Sequence, residues 1–331
     1  MGAVASEPKT PLIGSKRLTM FLFNVFLAAQ NMVLGLLVLF AAAHLLLPDR
    51  TVFLGMVTMM TRYLYLPAYP LLVTGVLTRK KGVWLAAAGV ALLHLIWIAP
   101  DYLPARRVAA ANPSLRILSA NLYYNNPQIE TLIAEIKAAD ADVILLQEAF
   151  RSWWQALEDN DMFSLYPYQI NTPGSSTVIL SRWPLEDWVE GSFKAATIFV
   201  EGQPIRLINV HAPYLFNRGG TEAIDAYYER LHEQLALEEG PLVVAGDLNV
   251  TQYSGWYRSL MREGLQSCHP LTGRGRVTTW PNGKIPVPAI RLDHALISSE
   301  LACLSIVEGQ GPGTDHKPLI FDLVLLPDEN P

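Results

Sequence analysis

The chain has 331 residues, 51% of them hydrophobic, and a mean hydropathy of +0.22, high for a soluble enzyme. Its net charge of −5 is unevenly spread: residues 1–111 hold only Glu7, Asp49 and Asp101 of the 30 acids but ten of the 25 bases, leaving 27 acids against 15 bases in residues 112–331, a net of −12. Such an acidic domain disfavours non-specific nucleic-acid binding, which depends on Lys and Arg to neutralise phosphates, unless metal ions offset the charge locally.

The greasy, basic first part reads as a membrane anchor and the polar, acidic second part as a globular domain large enough for one core. A span needs about twenty mostly apolar residues. Met20–Leu47, Val52–Leu77 and Val83–Ala99 qualify, which predicts three transmembrane helices within residues 19–99, after a cytoplasmic N-terminus of residues 1–18. The first run is longer than a cleavable signal, and two further spans follow it. Lys9, Lys16 and Arg17 precede the first span, and Arg79, Lys80 and Lys81 lie between the second and third. Positive residues stay inside, so both regions face the cytoplasm, against the smaller opposing set of Arg50, Arg106 and Arg107. Three crossings then place the C-terminal domain outside the cytoplasm, in the cell membrane's multi-pass class.

Arg62 falls nearly halfway along the second span. A charge at that depth suggests a function, here binding a lipid phosphate beside Tyr63, Tyr65 and Tyr69. The alternative is a break or re-entrant stretch with Arg62 reaching an interface. His44 and His94 also sit in spans and are expected to pair with neighbouring helices. Residues 100–113, with Pro100, Pro104 and Pro113, form a short linker that would keep the next domain near the bilayer.

Within residues 114–327 apolar, strand-like runs alternate with helical or loop segments. The expected strands are Leu115–Ala120, Val143–Gln147, Ser176–Ser181, Thr197–Glu201, Arg206–Val210, Leu242–Ala245, Leu292–Ser298 and Leu319–Leu325, with helices over Ile129–Ala139 and Glu222–Glu239. Polar residues with catalytic chemistry recur where these strands stop: Asn121, Glu148, His211, Asp247 and Asn249, with His316 just before the last strand. Two packed sheets whose strand ends meet at one rim would gather them into one cleft.

Phosphoryl hydrolysis needs a hard cation, an activated water and donors for developing charge. Carboxylates and amide oxygens suit Mg²⁺. Glu148, after the buried run Val143–Gln147, is the best metal ligand, and Asn121 could place its amide oxygen beside it. In Gly246-Asp247-Leu248-Asn249 the glycine permits a tight turn, and alternation puts Asp247 and Asn249 on one side. Asp247 could orient or deprotonate a water while Asn249 donates to the phosphate. His316, after Gly311-Pro312-Gly313-Thr314-Asp315, is a candidate base or charge stabiliser, and Asp293 could fix its tautomer. His211 would be a second imidazole on the phosphate. Each residue alone has an ordinary reading: a solvated strand-end acid, an Asx turn, a structural histidine.

The ordered set Ser119-Ala120-Asn121, Gln147-Glu148, Ile179-Leu180-Ser181-Arg182, Asn209-Val210-His211, Gly246-Asp247-Leu248-Asn249, Leu292-Asp293-His294 and Thr314-Asp315-His316 resembles the endonuclease/exonuclease/phosphatase superfamily, the deoxyribonuclease I-like fold. The resemblance spans about residues 114–326. It implies a four-layered α/β sandwich, two packed mixed sheets flanked by helices, and dependence on Mg²⁺ or Mn²⁺. It assigns Asn121 and Glu148 to the metal, with Asp315 as an additional metal-side or supporting acid. Asp247 and Asn249 become the water-orienting and phosphate-contacting pair, and His211 and His316 the catalytic imidazoles, with Asp293 orienting His316. With its three-span anchor the chain further resembles the VanJ-type bacterial membrane proteins linked to teicoplanin resistance, which implies a lipid-linked phosphate or pyrophosphate as substrate and the lipid bilayer as partner.

A phosphatase or pyrophosphatase on a lipid-linked substrate is therefore expected. A deoxyribonuclease I-type nuclease is the alternative, but the domain offers mainly Arg218, Arg258, Arg274 and Arg276 for a basic groove. Phospholipase C-like cleavage of a sphingolipid or phosphatidyl head group would use the same residues. Cys268 and Cys303 could pair in an exported domain, though nothing in their spacing demands it. His232 and His269 read as surface residues. Trp153, Trp154, Tyr214, Phe216 and Trp256 could form an apolar rim or cover the core.

Overall fold

A computed structural model describes residues 13–47, 51–103, 114–172, 175–283 and 286–327. The chain divides into two units: a helical one, of residues up to Leu46 and Leu64–Leu95, and a larger one, of Leu47–Tyr63 and Ile96 onward. The chain passes between them three times.

In chain order the first helices are α1 (Ile13–Leu46), α2 (Val52–Met59), α3 (Thr61–Leu64), α4 (Ala68–Leu77) and α5 (Lys81–Ile98). Among the described residues, two helical stretches are long and apolar enough to cross a membrane, Arg17–Leu46 and Lys81–Asp101. Their apolar side chains, such as Phe21, Leu22, Phe26, Leu92 and Ile96, are exposed. In the helical unit Gln30 Nε2 donates to Thr74 Oγ1 (2.9 Å) and the Tyr69 hydroxyl meets His94 Nδ1 (3.0 Å), so His94 has the expected inter-helix partner. The Val52–Leu77 stretch is not the single span expected. It breaks around Met60 and again before Pro67, and its first part, α2 with Arg62 and Tyr63, belongs to the larger unit. The ten residues of α4 alone cover only about 15 Å, half a hydrocarbon core. Arg62 sits at the break. Its guanidinium donates to the Arg276 carbonyl (2.9 Å) and faces Asp101 (3.5 Å), which favours the break over a buried lipid-phosphate site.

The expected linker begins differently from a free tether. Ala99–Asp101 forms a 3₁₀ turn, and Asp101 is buried, accepting from Gln252 Nε2 (2.9 Å) and from the Tyr253 hydroxyl, with Arg291 3.8 Å away. Residues 104–113, with Pro104, Arg106, Arg107 and Pro113, lie outside the described residues, as do the N-terminal residues 1–12 and Arg50.

The larger unit continues with β1 (Leu115–Asn121), α6 (Ile129–Ala138), β2 (Val143–Gln147), α7 (Arg151–Asp159), α8 (Met162–Leu165), β3 (Tyr168–Ile170) and β4 (Val178–Ser181). Next come β5 (Glu186–Glu190), β6 (Lys194–Val200), β7 (Gln203–His211), α9 (Gly220–Leu235) and β8 (Leu242–Asp247). It ends with α10 (Gly255–Arg262), β9 (Gln266–Ser267), α11 (Cys268–Leu271), β10 (Asp293–Ile297), β11 (Leu301–Glu308) and β12 (Leu319–Leu325). Two six-stranded sheets form, in the orders β11-β12-β1-β2-β4-β3 and β5-β6-β7-β8-β10-β9. Each has one parallel pair at its centre, β1 with β2 and β7 with β8, flanked by antiparallel strands.

Alternation along these strands builds four layers. Ile117, Val143, Leu145, Leu207, Val243 and Ala295 share the core between the sheets. Leu118, Ile144 and Leu146 face outward to pack with Ile133 of α6 and Trp153 of α7. Val210, Val244 and Leu296 face outward on the second sheet, against Tyr227 and Leu231 of α9 and Leu260 of α10. The expected sandwich of two mixed sheets flanked by helices is what the chain adopts. Trp153 and Trp256 cover the core, whereas Tyr214 and Phe216 are exposed. His269 is fully buried, contrary to the surface expectation, and Cys268 and Cys303 are buried free thiols.

Candidate active site

Register and parity together explain why distant residues meet. Asn121, Gln147, Asn209, His211, Asp247 and Asp293 share their strands' inward parity with the residues of the between-sheet core. The parallel pairing sets Asn121 beside Gln147 and His211 beside Asp247, both at carboxyl ends. β10 runs antiparallel to β8, so its first residue, Asp293, pairs with Asp247. β12 runs antiparallel to β1, so the loop before it brings His316 to the same rim.

The side chains form one connected cluster. Asn121 Nδ2 donates to Glu148 Oε1 and to Asp247 Oδ2, each at 3.1 Å, joining the two sheets. His211 Nε2 lies 3.9 Å from Glu148 Oε1 and 4.0 Å from Asp247 Oδ2, and His316 Nε2 lies 3.8 Å from the same Asp247 oxygen. His316 Nδ1 is 2.8 Å from Asp293 Oδ2, the orienting contact expected. The Asn249 backbone N–H donates to Asp247 Oδ1 (2.8 Å), and its amide donates to Asp247 Oδ2 (3.2 Å) and to the Ala212 carbonyl (2.8 Å). Asn249 reaches Asp247's side through a turn and not by alternation, because β8 ends at Asp247.

The backbone is held in unusual conformations at this rim. Tyr123, Glu148 and Asn249 have φ of 57°, 55° and 51°, left-handed values that cost a non-glycine residue free energy. Gly246 has φ 143°, and a Cβ there would stand 2.0 Å from the Val210 carbonyl oxygen, so no other residue fits between β8 and β7.

Electrostatics separate the two imidazoles. Burial would lower His316, but the carboxylates of Asp293 and Asp247 outweigh it and push it up to about 10. Burial lowers His211, with Glu148 only partly opposing. At neutral pH His316 is therefore an imidazolium, its Nδ1–H donating to Asp293, and His211 is neutral. Burial raises Asp247, offset by His316 and reinforced by Asp293, to about 7. Asp293 itself is held below the ordinary carboxylate range because His316 and Thr279 outweigh its burial.

The structure thus gathers His211, Asp247, Asn249, Asp293, His316, Asn121 and Glu148. Asp315 lines the same cavity, with its carboxylate accepting from Trp280 Nε1 (3.1 Å). Asp247, Asp293 and His316 bring possible ligand atoms within 4.8 Å of one another, although Asp293 is committed to His316. A hard cation fits the carboxylates of this rim: Glu148 and Asp247 converge on the Asn121 amide nitrogen, and Asp247 is buried with its charge disfavoured, while the Asn121 oxygen accepts from the Tyr123 N–H (3.0 Å).

Two supporting residues escaped the sequence reading. Thr314 Oγ1 donates to the Asn121 carbonyl (2.8 Å) and accepts from the His316 backbone N–H (3.1 Å), tying the last loop to β1. Asn209 accepts from Gln147 Nε2 (2.7 Å) and donates to the Leu146 and Val178 carbonyls, bridging the sheets beneath the site. Both lie inside motifs visible in the sequence, next to residues that were singled out. The site opens into a cavity of about 600 Å³, whose lining beyond the polar cluster is apolar.

The endonuclease/exonuclease/phosphatase family model matches residues 118–316. Among solved structures, the endonuclease/exonuclease/phosphatase from Bacteroides vulgatus is 18% identical, covering 64% of this chain and 99% of its own, with a TM-score of 0.52. The D. rerio TDP2 complexed with single-strand DNA product is also 18% identical, covering 63% and 98%, at 0.52. Caenorhabditis elegans TDP2 is 18% identical as well, covering 63% and 97%, at 0.50. These likenesses establish the fold. No curated protein sequence matches the chain.

Proposed function

Because the chain belongs to the endonuclease/exonuclease/phosphatase family, whose members are metal-dependent phosphoesterases and nucleases, we propose that it is a membrane-anchored phosphatase or pyrophosphatase of a lipid-linked substrate, akin to the VanJ-type proteins. One observation carries this reading: one cavity is lined by polar residues of the cluster together with a largely apolar remainder, as an amphipathic phosphate ester requires. Among the described lining residues none is Lys or Arg, which suits one phosphate group better than a nucleic-acid backbone.

In this reading Asn121 and Glu148, with Asp315 in support, hold the divalent cation, Mg²⁺ or Mn²⁺, which supplies Lewis-acid stabilisation of phosphate charge when bound. Asp247 takes a proton from the attacking water as the water oxygen bonds to phosphorus. The phosphorus–oxygen bond to the leaving group breaks, and that oxygen takes up the proton that Asp247 received. The His316 imidazolium stabilises negative charge on the phosphate, held in place by Asp293. Neutral His211 and the Asn249 amide hold its remaining oxygens.

Helices α1 and α5 are assigned to the bilayer, and the catalytic domain to the outer side. That placement requires the stretch around α4 to complete a third crossing, and a C-terminal reporter active only in the cytoplasm would overturn it. The functional test is a side-by-side panel of the purified full chain with Mg²⁺ on isoprenyl diphosphates, sphingomyelin vesicles and plasmid DNA. The expected result is phosphate release from the isoprenyl diphosphates, lost in Asp247→Ala and His316→Ala. Nicking of DNA without action on the lipids refutes the lipid assignment.

A further inference from the structure

Part of the cavity's apolar lining comes from an unexpected place. Met56, Met59 and Met60, on and just after α2, line the cavity, although they lie some sixty residues before the matched family region begins at residue 118. Sequence hydropathy assigns them to a bilayer; the fold gives them to the catalytic unit.

The attachment of α2 is specific along its length. Gly55 packs so closely that a Cβ there would meet Leu215 Cδ1 at 2.8 Å. Met59 is buried in the core shared with β7, β8 and α9, and its carbonyl accepts from Thr251 Oγ1 (3.5 Å). Just beyond, the Tyr63 hydroxyl donates to the Ala289 carbonyl (2.6 Å), and Arg62 reaches the Arg276 carbonyl and Asp101. The hydroxyls of Thr58 and Thr61 turn back onto the segment's own carbonyls of Gly55 (2.9 Å) and Thr58 (2.7 Å), and so offer a ligand no free donor. The face that remains toward the cavity is methionine. Thioether side chains adapt to flexible apolar ligands and carry nothing that could read the hydrogen-bonding edge of a base.

We propose that Met56 and Met60 are specificity-determining residues, forming the wall along which the apolar chain of the substrate lies while its phosphate meets the polar cluster. The inference rests on the lipid reading above and adds which residues measure the chain. Within it, the anchor segment does more than tether: it completes the binding pocket.

The test uses the full chain in detergent with Mg²⁺ and three diphosphates that share a head group, dimethylallyl, geranyl and farnesyl. The readout is the ratio of kcat/KM for farnesyl to that for dimethylallyl diphosphate. Each methylene buried against the wall is worth about fourfold, equivalent to about 0.8 kcal/mol, so the wild-type ratio should be well above tenfold. In Met56→Gln/Met60→Gln the ratio should fall by about tenfold or more through KM, and Met56→Leu/Met60→Leu should retain it. The single Met56→Gln change, at a partly exposed position, gives a smaller fall in the same direction and covers the case in which the double variant does not fold.

A wild-type preference for the long chain that survives the glutamine changes overturns this inference and leaves the lipid reading standing. Equal loss by the glutamine and leucine variants also overturns it, because it would mark α2 as merely structural. A wild type that releases phosphate from all three but ignores chain length overturns this inference alone; one that releases no phosphate from any of the three, or prefers a single-stranded oligonucleotide, overturns both.

Discussion

The floor and the wall of the cavity are built on opposite principles. The floor is polar and buried: Asp247 and His316 line it and are bonded to Asn121 and Asp293, and all four are 5% exposed or less. The wall is apolar and rests on loops and a short helix, and several of its members, Met56, Tyr124, Phe150 and Phe216, are exposed. Preorganised polar groups do chemistry that is the same for every substrate, whereas an adaptable apolar surface discriminates by size. Changes to the floor should therefore alter turnover for all chain lengths equally, and changes to the wall should alter only the preference among them.

The sharpest way to break this division is Asp293→Asn. The substitution keeps the shape of the side chain but removes the charge that holds His316 as an imidazolium and fixes its ring. We expect kcat to fall by about 10²–10³-fold for dimethylallyl and farnesyl diphosphate alike, the range typical of losing one positioned charge-stabilising donor. A fall confined to the longer substrate, in steady-state kinetics of the folded variant, would contradict the separation of floor from wall.

A smaller effect is expected where the wall is fastened. Asp101 is buried between Arg62 and Arg291, and Gln252 and Tyr253 complete its hydrogen bonds. Asp101→Ala leaves a nearly inaccessible Arg291 and the Arg62 of the α2 segment without their shared carboxylate, at a cost of about 3 kcal/mol. Chemical denaturation of the larger unit should register it. The surviving folded enzyme should lose chain-length preference before it loses turnover of the shortest substrate.

How much of this was legible in sequence follows from the same contrast. Period-two patterning and strand-end chemistry exposed the floor, because Val143–Gln147 and Leu319–Leu325 begin and end as expected and each is followed or preceded by a reactive residue. Strands at the sheet edges escaped: β5 reads Glu-Asp-Trp-Val-Glu, almost entirely exposed, so burial left no pattern on it. Asn209 escaped as a bridging residue because its own strand, β7, is apolar on both faces, Ile205 and Leu207 on one and Ile208 and Val210 on the other, which hides the face that turns inward. The wall was invisible for a different reason. α1 and α2 are both apolar, yet α1 leaves Phe21, Leu22, Phe26 and Leu39 exposed while α2 buries Met59 against a protein core. Hydropathy measures escape from water and does not record whether lipid or protein provides the cover.

The smallest expected effect belongs to a region outside both floor and wall, and it serves as their control. Arg116 opens β1 at the end away from the cluster and grips Asp322 of β12 with two bonds, Nε to Oδ1 at 2.7 Å and a terminal nitrogen to Oδ2 at 3.2 Å, while Ser305 donates to Oδ2 at 2.8 Å. Burial pushes the Asp322 carboxyl up, but the bonds from Arg116 and Ser305 outweigh it and hold it below its ordinary value. A depressed carboxylate stabilises the fold above its unfolded pKa, and that contribution disappears as pH falls through the folded value. Asp322→Asn should therefore cost about 0.5–1 kcal/mol at neutral pH, a half-exposed guanidinium limiting the gain, and the gap from wild type should close as the pH falls below the ordinary carboxylate range. Neither kcat nor the farnesyl-to-dimethylallyl ratio should move. A shift in either would mean that strain at the far end of β1 reaches Asn121, and that the floor is less independent of its sheet than its dense hydrogen bonding requires.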